Sequence, residues 1–171
     1  MIIFVTGGAR SGKSDFAQDM AEKIEGKRLF LATAQAFDEE MEERILKHQE
    51  SRGARWDTLE EPIDLGEALR SVFGEYKTIL VDCLTVWMSN LLLEYPNQNE
   101  KRSEIVDDFF SSLDELEEKI IVVSNEVGMG IVPDNKLARD YRDQLGFLNQ
   151  RVAERADEVY ALLSGIPVKI K

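Results

Sequence analysis

Ile2-Ile3-Phe4-Val5-Thr6-Gly7-Gly8-Ala9-Arg10-Ser11-Gly12-Lys13-Ser14-Asp15-Phe16-Ala17-Gln18-Asp19-Met20-Ala21 holds the reading that decides the fold. A β-branched apolar run feeds directly into Gly-x-x-x-x-Gly-Lys-Ser, and the residues after it repeat with helical period. Glycines let successive amide N–H groups turn inward, and a helix that opens at the same point adds partial positive charge. Such a nest holds phosphate oxygens. Lys13 is then expected to meet the outer phosphates as a point charge, and the Ser14 hydroxyl to ligate the Mg2+ that bridges them. Arg10 is left open between clamping phosphate and pointing to solvent.

Working outward, short β-branched runs alternate with longer amphipathic stretches, the pattern of a mostly parallel sheet covered by helices. Strands are predicted at Ile2–Thr6, Arg28–Thr33, Thr78–Asp82, Lys119–Asn125, Glu158–Leu163 and Val168–Lys171. Helices are predicted at Lys13–Ile24, Glu39–Gln49, Asp64–Phe73, Leu84–Glu94, Ser103–Glu117 and Lys136–Ala156, the last with a break at Gly146. Tyr95–Glu100 reads as a polar loop. The expected class is α/β, a P-loop NTPase-like three-layer fold with a mostly parallel central sheet. At 171 residues and 43% hydrophobic content the chain suits a single nucleotide-binding domain spanning 1–171.

The formal charge of -12 repels phosphodiester backbones, so nucleic acid is not an expected partner and anionic substrates must be caught locally. No apolar run approaches bilayer length and no basic leader precedes the first strand, which predicts a cytoplasmic protein without a membrane span. The single cysteine, Cys83, sits in an apolar run and reads as a structural thiol rather than a nucleophile.

Thr78-Ile79-Leu80-Val81-Asp82 is an apolar strand ending in a carboxylate, which makes Asp82 the natural acid beside the magnesium or its bound water. The only histidine, His48, shares a helical face with Met41 and Ile45, which suits a packed ring. Arg52, Arg55, Trp56 and the acidic pair Glu60-Glu61 follow it, which suits a nucleophile among groups that hold a triphosphate. The residues alone leave both open. Gly128-x-Gly130 lacks the third glycine of a dinucleotide fingerprint and is read as a loop at a strand's carboxyl end. There Glu126 either orients a ligand or water or plays a purely structural part. A regulatory GTP switch would need a guanine reader, and Asn135-Lys136-Leu137-Ala138 has alanine where the carboxylate must stand.

Taken together, Thr6–Ser14, Ala32-Thr33-Ala34-Gln35, Arg44-Ile45 with His48 and Arg52, Trp56–Glu60, Asp82-Cys83-Leu84-Thr85 with Asn90-Leu91-Leu92, Ser124–Pro133, Arg142-Asp143, Gly146, Asn149-Gln150 and Ser164–Ile170 resemble the bifunctional adenosylcobinamide kinase / adenosylcobinamide-phosphate guanylyltransferase family. The resemblance covers the whole chain. It implies phosphorylation of adenosylcobinamide, then GMP transfer from GTP to adenosylcobinamide phosphate through a guanylyl-histidine, for which the matching position is His48. With Lys13 it would be catalytic. It further implies GTP and ATP as nucleotides, with contacts at Gly7, Gly8, Ala9, Arg10, Ser11, Gly12, Lys13, Ser14, Leu31, Ala32, Thr33, Gln49, Glu50, Ser51, Arg52, Glu60 and Asp82. Ser14 and Asp82 would be the metal ligands. Asp82 is the shorter acid where some relatives carry Glu. Members of the family resemble homotrimers.

Overall fold

The computed structural model describes residues 1–34 and 55–171. In chain order the elements are β1 (Ile2–Gly7), α1 (Lys13–Glu22), β2 (Arg28–Ala32), β3 (Trp56–Glu60), α2 (Leu65–Ser71), β4 (Thr78–Asp82), α3 (Leu84–Glu94), α4 (Asn99–Glu115), β5 (Lys119–Val123), α5 (Lys136–Arg155), β6 (Glu158–Leu163) and β7 (Ile166–Lys169). All seven strands join one sheet in the order β3-β2-β4-β5-β1-β6-β7, parallel throughout except for the antiparallel β6–β7 hairpin. The α/β class and the mostly parallel sheet expected from the sequence are the ones observed.

The inner strands are mostly apolar because both faces are covered. Phe4, Leu31, Val81 and Val122 face a large core shared with Leu69 of α2, Trp87 of α3, Phe109 of α4 and Leu148 of α5. The alternate positions Ile3, Val5, Leu80, Ile121 and Val123 face a smaller core with Ala17 and Ala21 of α1. Strand parity thus sorts each apolar run between two cores. Where α1 ends, the buried Arg28 guanidinium donates from Nε to the Ala21 carbonyl at 2.8 Å and from a terminal nitrogen to that of Glu22 at 2.9 Å, capping the carbonyl end of the helix.

Several boundaries differ from the sequence reading. β3 was not anticipated, because Trp56-Asp57-Thr58-Leu59-Glu60 is a half-solvated edge strand whose polar residues hide it from an apolar-run criterion. Four residues assigned to the polar loop or left between elements open α4, which starts at Asn99. Helix α5 runs unbroken through Gly146, since its neighbours Leu145, Leu148 and Asn149 are buried and offset the modest cost of a helical glycine. β7 begins two residues earlier than expected, at Ile166. The predicted helix Glu39–Gln49 lies outside the described residues.

Two glycines hold the N-terminal loop in conformations closed to other residues. Gly7 has φ 149°, and a Cβ there would stand 2.5 Å from the Leu162 carbonyl oxygen, a backbone atom that cannot yield. Gly12 has φ 85°, but a Cβ there would meet nothing nearer than the Gly165 Cα at 3.7 Å. Gly7→Ala is therefore expected to cost at least about 2 kcal/mol, from strain and collision together, and Gly12→Ala about 1 kcal/mol, from the left-handed backbone alone. Urea unfolding of the two variants checks this, and equal losses would show that the approach of β6 to Gly7 is not the constraint described.

Candidate active site

Parallel strands deliver their carboxyl ends to one edge, where ligands of open α/β sheets bind. Strand register puts Glu60 opposite Ala32, Ala32 opposite Asp82, Asp82 opposite Val123, and Val123 opposite Val5. One row across the sheet therefore carries Glu60, Ala32 and Asp82 to the level of Val5, two residues before β1 ends at Gly7. Asp82 stands two strands from Val5, about 10 Å by strand spacing. The chain thus reaches this edge from distant parts of the sequence.

The loop itself is a tight turn from Gly7 into α1. Arg10 takes φ 58° and is exposed, as are Gly8 and Ala9. The Ser11 amide donates to the Gly8 carbonyl at 3.3 Å, and the Phe16 amide to the Gly12 carbonyl at 3.0 Å, which starts the helix. Lys13 is only 7% exposed. Its Nζ curls over the loop, donating to the Gly8 carbonyl at 2.6 Å and to Ser11 Oγ at 3.4 Å. Burial pushes the Lys13 pKa down, while Cys83 and Asp82 act in the opposite sense, which puts both within electrostatic reach of the amine. An ammonium that has lost water and holds only neutral oxygens is suited to gain from an incoming phosphate. Ser14 and Asp82 are both half-exposed. Among the described residues, no group of three or more His, Cys, Asp or Glu side chains is disposed as a metal cage.

The remaining expected contacts divide by burial. The Leu31 side chain lies wholly in the core, so only its backbone is available to a ligand. Thr33 is fully buried and pins β2 to β4: its hydroxyl donates to the Cys83 carbonyl at 2.8 Å and accepts from the Cys83 amide at 2.9 Å. Glu60 is exposed at the end of β3. His48, Gln49, Glu50, Ser51 and Arg52 lie outside the described residues, which resume at Arg55. Asn135 caps α5, its side chain accepting from the Ala138 amide at 2.7 Å, so Asn135–Ala138 is a helix start and not a guanine reader.

Sequence reasoning gave no role to several residues that brace the site. The Gly165 amide, in the β6–β7 turn, donates to the Ser11 carbonyl at 3.1 Å and so buttresses the glycine loop from the far side. Asn90 of α3 donates to the carbonyls of Thr33 at 2.8 Å and Pro62 at 3.1 Å. Thr85 Oγ1 accepts from the Asn125 amide at 2.7 Å, and Asn149 Nδ2 donates to the Asn125 carbonyl at 3.0 Å. Glu126, which the sequence leaves open between orienting a ligand or water and a structural part, donates its amide to the Gly7 carbonyl at 3.0 Å. All but Pro62 lie in the blocks that carried the family resemblance, yet buried amides binding backbone carbonyls have no local sequence signature.

A family model described as CobU, cobinamide kinase / cobinamide phosphate guanyltransferase, matches residues 3–170. The chain belongs to this family of bifunctional enzymes. It is 44% identical over 168 residues to the bifunctional adenosylcobalamin biosynthesis protein CobP of Pseudomonas aeruginosa, covering 98% of this chain and 95% of that one. Over 185 residues it is 40% identical to the bifunctional adenosylcobalamin biosynthesis protein CobU of Salmonella typhimurium, covering all of both chains. CobU of Escherichia coli is 36% identical over 182 residues, again across both chains. Among solved structures, a RadB recombinase matches with TM-score 0.50 at 15% identity, over 94% of this chain and 73% of that one. An ATPase of a type III secretion system matches with TM-score 0.53 at 12% identity, over 95% of this chain and 51% of that one. At such identities these two speak for the P-loop fold alone. The family expected from the sequence blocks is thereby borne out.

Cys83, adjoining the site, is not built as a nucleophile. Desolvation by burial, aided by the neighbouring Asp82 charge, pushes its thiol up to about 11. A raised thiol pKa keeps the neutral form at neutral pH, and only the thiolate attacks. At pH 7.5 iodoacetamide should therefore modify native Cys83 on the order of 100-fold more slowly than an ordinary exposed thiol. Mass analysis of the labelling time course checks this; labelling at the rate of a free cysteine peptide would contradict it.

Proposed function

We propose that this protein phosphorylates adenosylcobinamide, with ATP or GTP as donor, and then transfers GMP from GTP to the resulting phosphate to give adenosylcobinamide-GDP. The observation that carries the reading is the desolvated Lys13 ammonium folded over Gly7–Ser14 with Asp82 in electrostatic reach, in a chain of the cobinamide kinase family.

In the kinase step the loop amides and Lys13 hold the outer phosphates while the acceptor hydroxyl attacks the terminal phosphorus, so positioning and charge stabilisation supply the catalysis. For guanylyl transfer, a neutral His48 nitrogen attacks the α-phosphorus of GTP. An N–P bond forms, the bond to the bridging oxygen breaks, and pyrophosphate leaves into the field of Lys13 and the loop amides. A phosphate oxygen of adenosylcobinamide phosphate then attacks the same phosphorus, the N–P bond breaks, and the ring is restored. His48 is assigned by family resemblance and by its place in the chain after β2, whose end stands in the site row.

Ser14 and Asp82 fit magnesium, because each offers a hard oxygen donor and the two fall short of an octahedral shell that phosphate oxygens and waters complete. When bound, the ion would offset charge on the outer phosphates. We further assign the chain to one domain, and its assembly to a homotrimer on family resemblance.

Three outcomes test this reading. Lys13→Ala should lower both reactions on the order of 100-fold or more, since each relies on the same outer-phosphate contact; a near-normal rate for either would refute a shared cradle. Asp82→Asn should raise the magnesium concentration needed for half-maximal rate, because an amide ligates a hard cation less well than a carboxylate. An unchanged magnesium titration would move the metal role elsewhere. His48→Asn should abolish retention of α-labelled GTP on denatured protein while sparing measurable phosphoryl transfer. Full labelling of that variant would remove the histidine from the mechanism.

A further inference from the structure

The loop from β5 to α5 presents apolar surface that the steps above leave unused. Met129 is 90% exposed, Ile131 96% and Val132 58%, within a stretch of six residues. Both ends of that stretch are pinned. At its root, Asn125 is held by Thr85 and Asn149, the Glu126 amide bonds the Gly7 carbonyl, and Glu126 Oε1 accepts from the Gly128 amide at 2.7 Å. At its far end, Arg139 donates to the carbonyls of Pro133 at 3.0 Å and Asp134 at 2.6 Å, and Asn135 caps α5. A loop so anchored holds its aliphatic side chains in water instead of folding them under, and contiguous exposed apolar surface beside a site marks a binding face. Its root is bonded to the first residue of the phosphate cradle, so the loop leaves the sheet at the same edge as that cradle.

The surface selects among the two substrates. A nucleotide base seeks an aromatic ring to stack on and side-chain donors at its edge, whereas residues 128–133 carry neither. Their aliphatic groups suit a large, saturated, methylated rim. The formal charge of -12 also favours a cationic ligand over an anionic one. A cobalt(III) corrinoid with neutral amide arms, such as adenosylcobinamide, meets both conditions.

We propose that residues 128–133 form the corrinoid platform, with Met129, Ile131 and Val132 as the apolar bed for the methylated rim of adenosylcobinamide while its arm hydroxyl reaches toward Gly7–Ser14. This rests on the reading of the chain as acting on a cobinamide, and it names residues that determine specificity for that substrate and not for the nucleotide. The test is the double variant Met129→Ser/Ile131→Ser beside a conservative Met129→Leu/Ile131→Val, both at exposed positions that spare the core. Equilibrium dialysis of adenosylcobinamide, read by its visible absorbance, should show affinity lowered on the order of tenfold or more in the serine variant and near wild type in the conservative one. The KM for adenosylcobinamide should rise in parallel, with the KM for nucleotide and covalent labelling by α-labelled GTP unchanged. Unaltered corrinoid affinity in the serine variant would overturn the proposal, as would a fall in native mass by sedimentation, which would make the loop a contact between copies of the chain. Failure of wild-type protein to take up label or to phosphorylate the corrinoid would count against the function proposed above, while dialysis still decides the platform.

Discussion

The active edge depends on how closely two backbones approach at Gly7. There β1 leaves the sheet with its carbonyl accepting from Glu126 on one side and its Cα pressed against the Leu162 carbonyl on the other. No side chain fits between them, and the position of the entire glycine loop follows. Because β5 and β6 flank β1, the same contact sets the loop after β5 and the turn after β6 relative to the phosphate cradle. Gly165 then closes the arrangement by bonding Ser11. The cradle is thus a three-strand feature, although its motif is written on one.

Electrostatics at this edge run against the rest of the surface. In a chain with 33 acidic and 21 basic residues, the glycine loop keeps one amine largely out of water. Lys13 sits among neutral oxygens, largely out of water, with Asp82 in electrostatic reach. Local desolvation outweighs net charge here because Coulomb energy grows as the surrounding dielectric falls, whereas the distant carboxylates are screened by salt.

The legible parts of the sequence were those in which local pattern and tertiary role coincide. β1, the glycine loop and α1 follow one another without interruption, and the apolar strands β4 and β5 are buried on both faces, so motif and hydrophobicity alone place them. β3 escaped because an edge strand with Asp57, Thr58 and Glu60 exposed has no reason to be apolar. Arg28 was read as a strand opening, yet its work is to cap α1, a relation set by the fold of the intervening turn. Asp82 and Glu60 were proposed for the site from type and resemblance, and their shared row follows only from register. Leu31 and Thr33 show the reverse case: the positions reach the active edge, but their side chains are committed to core packing and to pinning Cys83. The assignment of His48 as nucleophile rests on resemblance, since spacing alone fits a packed ring equally well and the residue lies outside the described ones.

The sheet's two rims bear on how the protein behaves when crowded. β7 lies at one edge with all four residues exposed, and an open strand is a template on which another chain's strand can add. Pro167 removes a backbone donor from that rim, and Lys169 sets a charge there, paired with Glu158 at 3.0 Å. At the opposite rim, β3 carries Asp57 and Glu60. Both margins are therefore poor seeds for fibrillar stacking, so concentrated protein is protected from growing sheet upon sheet while its interior strands remain as apolar as those of an amyloid core.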